Sequence, residues 1–367
     1  MPENPLRKLN AAGQSVWYDY IRRNLLGAEL QRLIEQDDLR GITSNPTIFE
    51  KALTGGHDYD EALRRELRHA PEATPRELFY TLAVEDIRQA ADQLRPVYER
   101  TDGVDGMVSL EVSPDLAHDT EATIGEARAL AERVDRPNLM VKVPATEAGL
   151  PAVETLIAEG INVNVTLLFA VERYRAVAEA YIRGLERRHE AGQPLARIAS
   201  VASFFVSRVD SALDPLLAER HPDLQGRIAI ANAKRAYKAF EDIFNDRRFL
   251  NLAYAGARVQ RLLWASTGTK NPAYPELHYA ENLIGSQTVD TMPPATYAAF
   301  REHGRVEPTL ARGLDQAERQ IAQLAQLGID LKAVTDRLEE EGVAAFARSF
   351  DNLLAAVRDR AAELRAA

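Results

Sequence analysis

Lys142 stands in the run Asn138-Leu139-Met140-Val141-Lys142-Val143-Pro144, an apolar stretch interrupted by one cation. An ordinary lysine, with a pKa of about 10.4, is ammonium at neutral pH and cannot attack a carbonyl. Desolvation favours the neutral amine and can bring a lysine down to about 7–8. A shift of about three units corresponds to about 4 kcal/mol of differential interaction, which only a buried position supplies. A lysine placed in this way can form a Schiff base with a ketone. The plainer reading is a strand-end lysine whose stem lies on apolar surface while its head reaches water.

Imine chemistry needs proton donors and acceptors beside the amine. Glu111, closing Met107-Val108-Ser109-Leu110-Glu111, is placed to help a carbinolamine lose water. Asp19, after Trp17-Tyr18, is the candidate to take a hydroxyl proton when a carbon–carbon bond breaks. Two carboxylates in different surroundings can hold different protonation states. Their alternative roles are helix caps or salt bridges. Asn45, Asn164 and Thr166 are neutral groups suited to holding sugar hydroxyls or a water, although Asn45 precedes Pro46 and also reads as a turn residue. Arg208 could grip a phosphate bidentately or make a surface salt bridge. Ser266-Thr267-Gly268-Thr269-Lys270 follows the seventh strand-like run. That is where barrel enzymes often bind phosphate, with backbone N–H groups and a cation.

These residues need elements to carry them. Short apolar runs at 16–20, 41–43, 107–112, 139–143, 162–167, 198–205, 261–265 and 283–287 read as eight strands. Helical patterns lie between most of them, as in Glu121–Val134 with Ala122, Ala129, Leu130 and Val134 on one side. Strand–helix alternation repeated eight times argues for an α/β fold, a single (β/α)8 barrel over residues 1–367. Side chains alternate faces along a strand, so Lys142 shares a face with Met140, Glu111 with Ser109, and Asn162, Asn164 and Thr166 with one another. Ser203 likewise shares a face with Phe205. Helical insertions are expected at about 51–100 and 210–260, and a C-terminal helical extension at about 305–367.

Composition narrows the class. Hydrophobic residues at 46% and charged residues at 27% are ordinary globular values, which exclude a disordered or fibrous chain. The absence of cysteine removes disulfides, thiol nucleophiles and iron–sulfur ligation. The seven histidines form no HExxH, which gives a metal site little support. A net charge of −10 disfavours a general nucleic-acid surface but leaves room for a local cationic site. The first residues lack the apolar core of a secretory leader. No uncharged run approaches the roughly 18–20 residues of a membrane span. A soluble cytoplasmic protein with no membrane association is the expectation.

With these residues assembled, the sequence resembles the transaldolases from Trp17 to the C-terminal helices. The resemblance rests on four blocks in order: Gly41-Ile42-Thr43-Ser44-Asn45-Pro46-Thr47; Val108-Ser109-Leu110-Glu111-Val112 followed by His118-Asp119-Thr120; Met140-Val141-Lys142-Val143-Pro144-Ala145-Thr146; and Gly160-Ile161-Asn162-Val163-Asn164-Val165-Thr166-Leu167-Leu168-Phe169. It implies a metal-free class I aldol transfer on a (β/α)8 barrel, with no cofactor. It makes Lys142 the Schiff-base lysine on strand four, and has Glu111 and Thr166 hold a proton-relaying water. Asp19 becomes the acid/base at the cleaved hydroxyl. Asn45, Asn164 and Ser203 would contact the dihydroxyacetone unit, Phe205 would shape the wall, and Arg208 would bind phosphate. The sequence is similar to the longer bacterial branch. Much of the family has arginine in an Ala-Ser-Phe-Arg-Asn block, where this chain reads Ala265-Ser266-Thr267-Gly268-Thr269-Lys270-Asn271 with a loop two residues longer. Lysine cannot bind phosphate bidentately.

The expected activity is transfer of dihydroxyacetone from sedoheptulose 7-phosphate to glyceraldehyde 3-phosphate, giving erythrose 4-phosphate and fructose 6-phosphate. The partners implied are these sugar phosphates, with no nucleic acid, and the chain is expected as a stand-alone monomer or homodimer. The nearest alternative is a fructose-6-phosphate aldolase-type lyase, which would share the lysine. A non-catalytic sugar-phosphate-binding barrel is the remoter one.

Overall fold

The computed structural model describes residues 4–366. Residues 1–3, part of the stretch read for a leader, and Ala367, where the stand-alone reading ends, lie outside them. Eight parallel strands close into a barrel in chain order: β1 (Gln14–Tyr18), β2 (Gly41–Ile42), β3 (Met107–Glu111), β4 (Leu139–Pro144), β5 (Val163–Leu168), β6 (Ser200–Phe205), β7 (Arg261–Ala265) and β8 (Thr288–Met292), with β8 pairing β1. The fold is the (β/α)8 barrel that the alternation predicts. Every strand residue except Tyr18 is buried, because helices cover the outside and side chains fill the inside.

Seven of the eight expected strands overlap the observed ones. The eighth, expected at 283–287, is a correction: the strand is Thr288–Met292. Leu283 and Ile284 are apolar and buried, but they follow the short helix His278–Asn282, and the Ile284 carbonyl accepts from the backbone of Thr309 and Leu310. Gln287 then takes a left-handed turn at φ 56°. The true strand reads Thr-Val-Asp-Thr-Met, too polar to stand out by hydrophobicity.

Local sequence starts the helices. Thr74 and Glu77 form a reciprocal capping box ahead of helix Pro75–Arg100, and Asp119 caps helix Thr120–Val134. Valines 141 and 143 alternate with Lys142 along β4, which helices Thr120–Val134 and Gly149–Glu159 flank. Between β2 and β3 lie helices Pro46–Thr54, Asp60–His69 and Pro75–Arg100; between β6 and β7 lie Ser207–Leu217, Ile228–Phe244 and Arg247–Tyr254.

The final helix, Leu331–Ala366, buries a stripe that includes Val334, Leu338, Phe346, Phe350, Leu353 and Val357, spaced as one helix face requires. It runs against helix Pro46–Thr54 and the end of β5. Thr47 and Ser349 share a hydrogen bond of 2.8 Å, and Arg173 pairs with Glu339 at 3.3 Å. Gly342 allows the close approach, since a Cβ there would lie 3.0 Å from Leu167. The helix thereby covers part of the barrel mouth.

Candidate active site

A cavity of about 170 Å³ opens at the C-terminal ends of the strands. Asp19, Asn45, Lys142, Thr166, Ser203, Phe205, Arg208, Ser266 and Lys270 all line it, together with Thr43, Gly268, Thr291, Pro293 and Phe346. These sequence-derived candidates thus converge from six different strand ends and the loops after them. Glu111 and Asn164, the register partners of Lys142 on either side, lie beside that lining.

Lys142 and Glu111 are register partners on β4 and β3. The Lys142 side chain is 5% exposed and that of Glu111 4%, so both are inside the barrel rather than at its rim. Lys142 Nζ donates to the Ser44 carbonyl at 3.0 Å and lies 3.4 Å from Glu111 Oε2, an ion-pair contact too long for a strong hydrogen bond. Burial pushes the Glu111 carboxyl up from the ordinary range, while Lys142 opposes that shift. Both Glu111 oxygens and Thr166 Oγ1 are buried without a hydrogen-bond partner among the described residues. They retain their capacity for a substrate-derived group.

Asp19 follows β1 directly, its N–H donating to the Met292 carbonyl at 2.9 Å. Its Oδ1 accepts from Thr43 Oγ1 at 2.6 Å. Burial raises its pKa, against Lys142, the Thr43 hydrogen bond and Arg208, which lower it. Asn45 is both a helix cap and a lining residue. Its Oδ1 caps helix Pro46–Thr54 by accepting from the Ile48 N–H at 2.9 Å, and the residue still lines the cavity. The cap uses the amide's acceptor and leaves its donor. Asn164 is held on both sides: its Nδ2 donates to Ser109 Oγ at 3.1 Å, and its Oδ1 accepts from Ser203 Oγ at 2.7 Å.

Two cations border the other side. Arg208 opens helix Ser207–Leu217 and lies over the Phe205 ring at 5.1 Å. Partial desolvation lowers the pKa of half-buried Arg208; partial desolvation and the nearby Arg208 lower that of Lys270, which remains exposed. Neither forms a salt bridge among the described residues, in a molecule where most arginines do. The loop bearing Lys270 is built firmly. Ser266 is left-handed at φ 57°, its hydroxyl 2.9 Å from that of Ser207. Thr267 Oγ1 donates to Asp290 Oδ1 at 2.8 Å, and Thr269 Oγ1 donates to the Glu276 carbonyl at 2.8 Å. Burial pushes Asp290 up to about 7.

Sequence reasoning did not single out Thr43, Ser44, Asp290, Thr291 or Phe346. Thr43 and Ser44 lie in a quoted block, and their signal was two hydroxyls at a strand end. Asp290 and Thr291 fall on the misplaced eighth strand. Phe346 is one of several aromatics on an amphipathic helix, and only the crossing of that helix brings it to the mouth. No group of three or more potential metal ligands occurs among the described residues.

A buried lysine beside a carboxyl group, at the C-terminal mouth of a (β/α)8 barrel with two uncommitted cations, is the equipment of an imine-forming enzyme for anionic carbonyl substrates. Comparisons with known proteins agree with that class and narrow it. The family model for Transaldolase/Fructose-6-phosphate aldolase matches residues 16–357. The chain belongs to that family. It is 49% identical to a transaldolase of Thermobifida fusca, over 99% of each chain. It is 47% identical to one of Thiobacillus denitrificans, over 96% of this chain and 99% of the relative. It is 46% identical to one of Mycobacterium tuberculosis, over 97% of each.

Proposed function

We propose that the chain is a transaldolase of the pentose phosphate pathway, a transferase that carries a dihydroxyacetone unit on Lys142. The observation that carries this reading is the buried Lys142–Glu111 pair at 3.4 Å inside the barrel mouth. Lys142 Nζ adds to the C2 ketone of sedoheptulose 7-phosphate. Glu111, with its pKa raised by burial, supplies the proton that lets the carbinolamine hydroxyl leave as water and the imine form, with Thr166 sharing the water's hydrogen bonds. Asp19 takes the C4 hydroxyl proton, the C3–C4 bond breaks, and erythrose 4-phosphate departs. The electron pair stays on Lys142 as an enamine. Glyceraldehyde 3-phosphate accepts the new bond at its aldehyde carbon and recovers the proton from Asp19. Hydrolysis of the imine then releases fructose 6-phosphate.

Asn45, Asn164 and Ser203 would hold the dihydroxyacetone hydroxyls. Arg208, with the positive end of helix Ser207–Leu217, would hold the phosphate together with Ser266 and Lys270. The chain carries −10 overall, yet the cavity wall itself carries Lys142, Arg208 and Lys270 against Asp19. That local excess offsets the repulsion of an anionic sugar. The proposed reaction needs no cofactor. The compartment proposed is the cytoplasm; no helix among the described residues is long and apolar enough to cross a membrane.

The family also contains lyases, and Phe205 favours transfer. Its ring faces Phe169 at 5.2 Å and brings no hydroxyl to organise a water that would protonate the enamine. The test is release of glyceraldehyde 3-phosphate from fructose 6-phosphate, with and without erythrose 4-phosphate. Release that depends on the acceptor is expected. Equal release without it identifies a lyase.

A further inference from the structure

Thr291, on β8, lines the cavity without touching the reacting atoms of the proposed transfer. Its hydroxyl lies 2.6 Å from that of Thr43, which itself donates to Asp19 Oδ1 at 2.6 Å. A hydroxyl has one proton and two acceptor lone pairs. With the Thr43 proton spent on the carboxylate, the Thr291–Thr43 contact is satisfied only if Thr291 donates. The three residues therefore form a directed chain, Thr291 to Thr43 to Asp19. The backbone fixes its members. Thr43 N–H donates to the Tyr18 carbonyl at 3.0 Å, Asp19 N–H donates to that of Met292, and Thr291 is the register partner of Trp17. The chain spans the end of β1, joining β2 and β8, which pair with β1 from opposite sides. Thr43 and Thr291 are 2% and 3% exposed, so water does not compete for these bonds.

We propose that Thr291 is a positioning residue for the transfer step, orienting and strengthening the Thr43 hydroxyl so that Asp19 is held ionised and aimed at the substrate hydroxyl. This rests on the transaldolase reading and its assignment of Asp19. A hydroxyl that accepts one hydrogen bond donates the next more strongly. A donor to the charged form of a carboxylate favours that form. Burial works the other way on Asp19, and the charged groups acting on it are Lys142 from β4, Glu111 from β3 and Arg208 from helix Ser207–Leu217. Removal of the Thr291 hydroxyl leaves all three in place and weakens only the hydroxyl chain.

The sign follows. Asp19 acts as a base in cleavage and must be ionised. A weaker chain raises its pKa, so activity is lost at a higher pH as the solution is acidified. The experiment compares kcat against pH for the wild type, Thr291→Val and Thr291→Ser, using fructose 6-phosphate and erythrose 4-phosphate. In Thr291→Val the acid limb is expected to move up by about half to one pH unit. KM should stay within about twofold, since Thr291 holds no phosphate or sugar group in this account. Thr291→Ser restores the hydroxyl and should restore the wild-type limb. An unmoved limb in Thr291→Val, or a shift that serine does not rescue, overturns the proposal. Valine has the shape of threonine, and a thermal melt of each variant separates misfolding from a titration effect. Turnover by the wild type on the same preparation is measured first. Its absence would remove the parent reading, and the proposal with it. Its presence with an unmoved limb would remove the role of Thr291 alone.

Discussion

At the N-terminal end of the barrel, Asp105 accepts from Ser15 Oγ at 2.8 Å, Trp17 Nε1 at 3.3 Å and Arg261 Nη2 at 2.9 Å, and pairs with Arg40 at 3.5 Å. At the C-terminal end, Arg208 and Lys270 have no carboxylate partner among the described residues, and both oxygens of Glu111 accept no hydrogen bond. Both ends hold cations, but at the N-terminal end Arg40, Arg258 and Arg261 are each paired with a carboxylate. The larger cavity of the two, about 730 Å³, is at the N-terminal end. There Arg40 pairs with Asp38, Arg258 with Asp102, and Arg261 with Asp105. Size therefore does not mark the site in this molecule. Cations without a carboxylate partner among the described residues do, because they keep their charge-assisted hydrogen bonds for an anionic ligand.

The largest expected effect would come from breaking the satisfied end. Asp105→Ala leaves the Arg261 guanidinium buried without its carboxylate and should cost about 3–5 kcal/mol, as loss of one partner of a buried pair does. Urea unfolding measures it. Turnover per folded molecule should remain at the wild-type level, because the cluster is at the far end of the barrel from Lys142. A loss of turnover with unchanged stability would erase the contrast between the ends.

The opposite pattern is expected at the mouth. Arg208→Met should leave stability unchanged or improve it slightly, since no protein partner is lost. It should raise KM for fructose 6-phosphate by about tenfold to a hundredfold, the worth of charged hydrogen bonds to phosphate. Lys270→Met should raise KM less, a single ammonium being a point charge rather than a fork. Steady-state kinetics beside the same urea titrations decide both. An unfolding midpoint that drops sharply in Arg208→Met would mean that Arg208 is structural after all.

The sequence carried the charge-bearing strands further than the molecule's closures. β3, β4 and β5 were legible because one ionisable or amide residue alternates with valine or leucine, a pattern that barrel packing requires. Lys142 and Glu111 were readable for the same reason. β8 was not, because its outer face holds Asp290 and its inner face Thr291, which removes the apolar signal while burial on both sides persists. The chain from Thr291 to Asp19 was invisible for another reason: it joins positions 291, 43 and 19, and only closure of β8 onto β1 makes them neighbours. Phe346 likewise reaches the cavity through the path of the last helix across the mouth. Asn45 shows a third case: read as a turn residue or a sugar-holding amide, it caps a helix and also lines the cavity.

Borohydride trapping tests the central claim most directly. The protein is mixed with fructose 6-phosphate, reduced and digested, and the modified peptide is identified by mass spectrometry. A reduced three-carbon adduct on Lys142 is the predicted result, since it requires imine formation at that nitrogen and cleavage of the sugar. A folded protein that gives no adduct, or gives one on a different lysine, would contradict it.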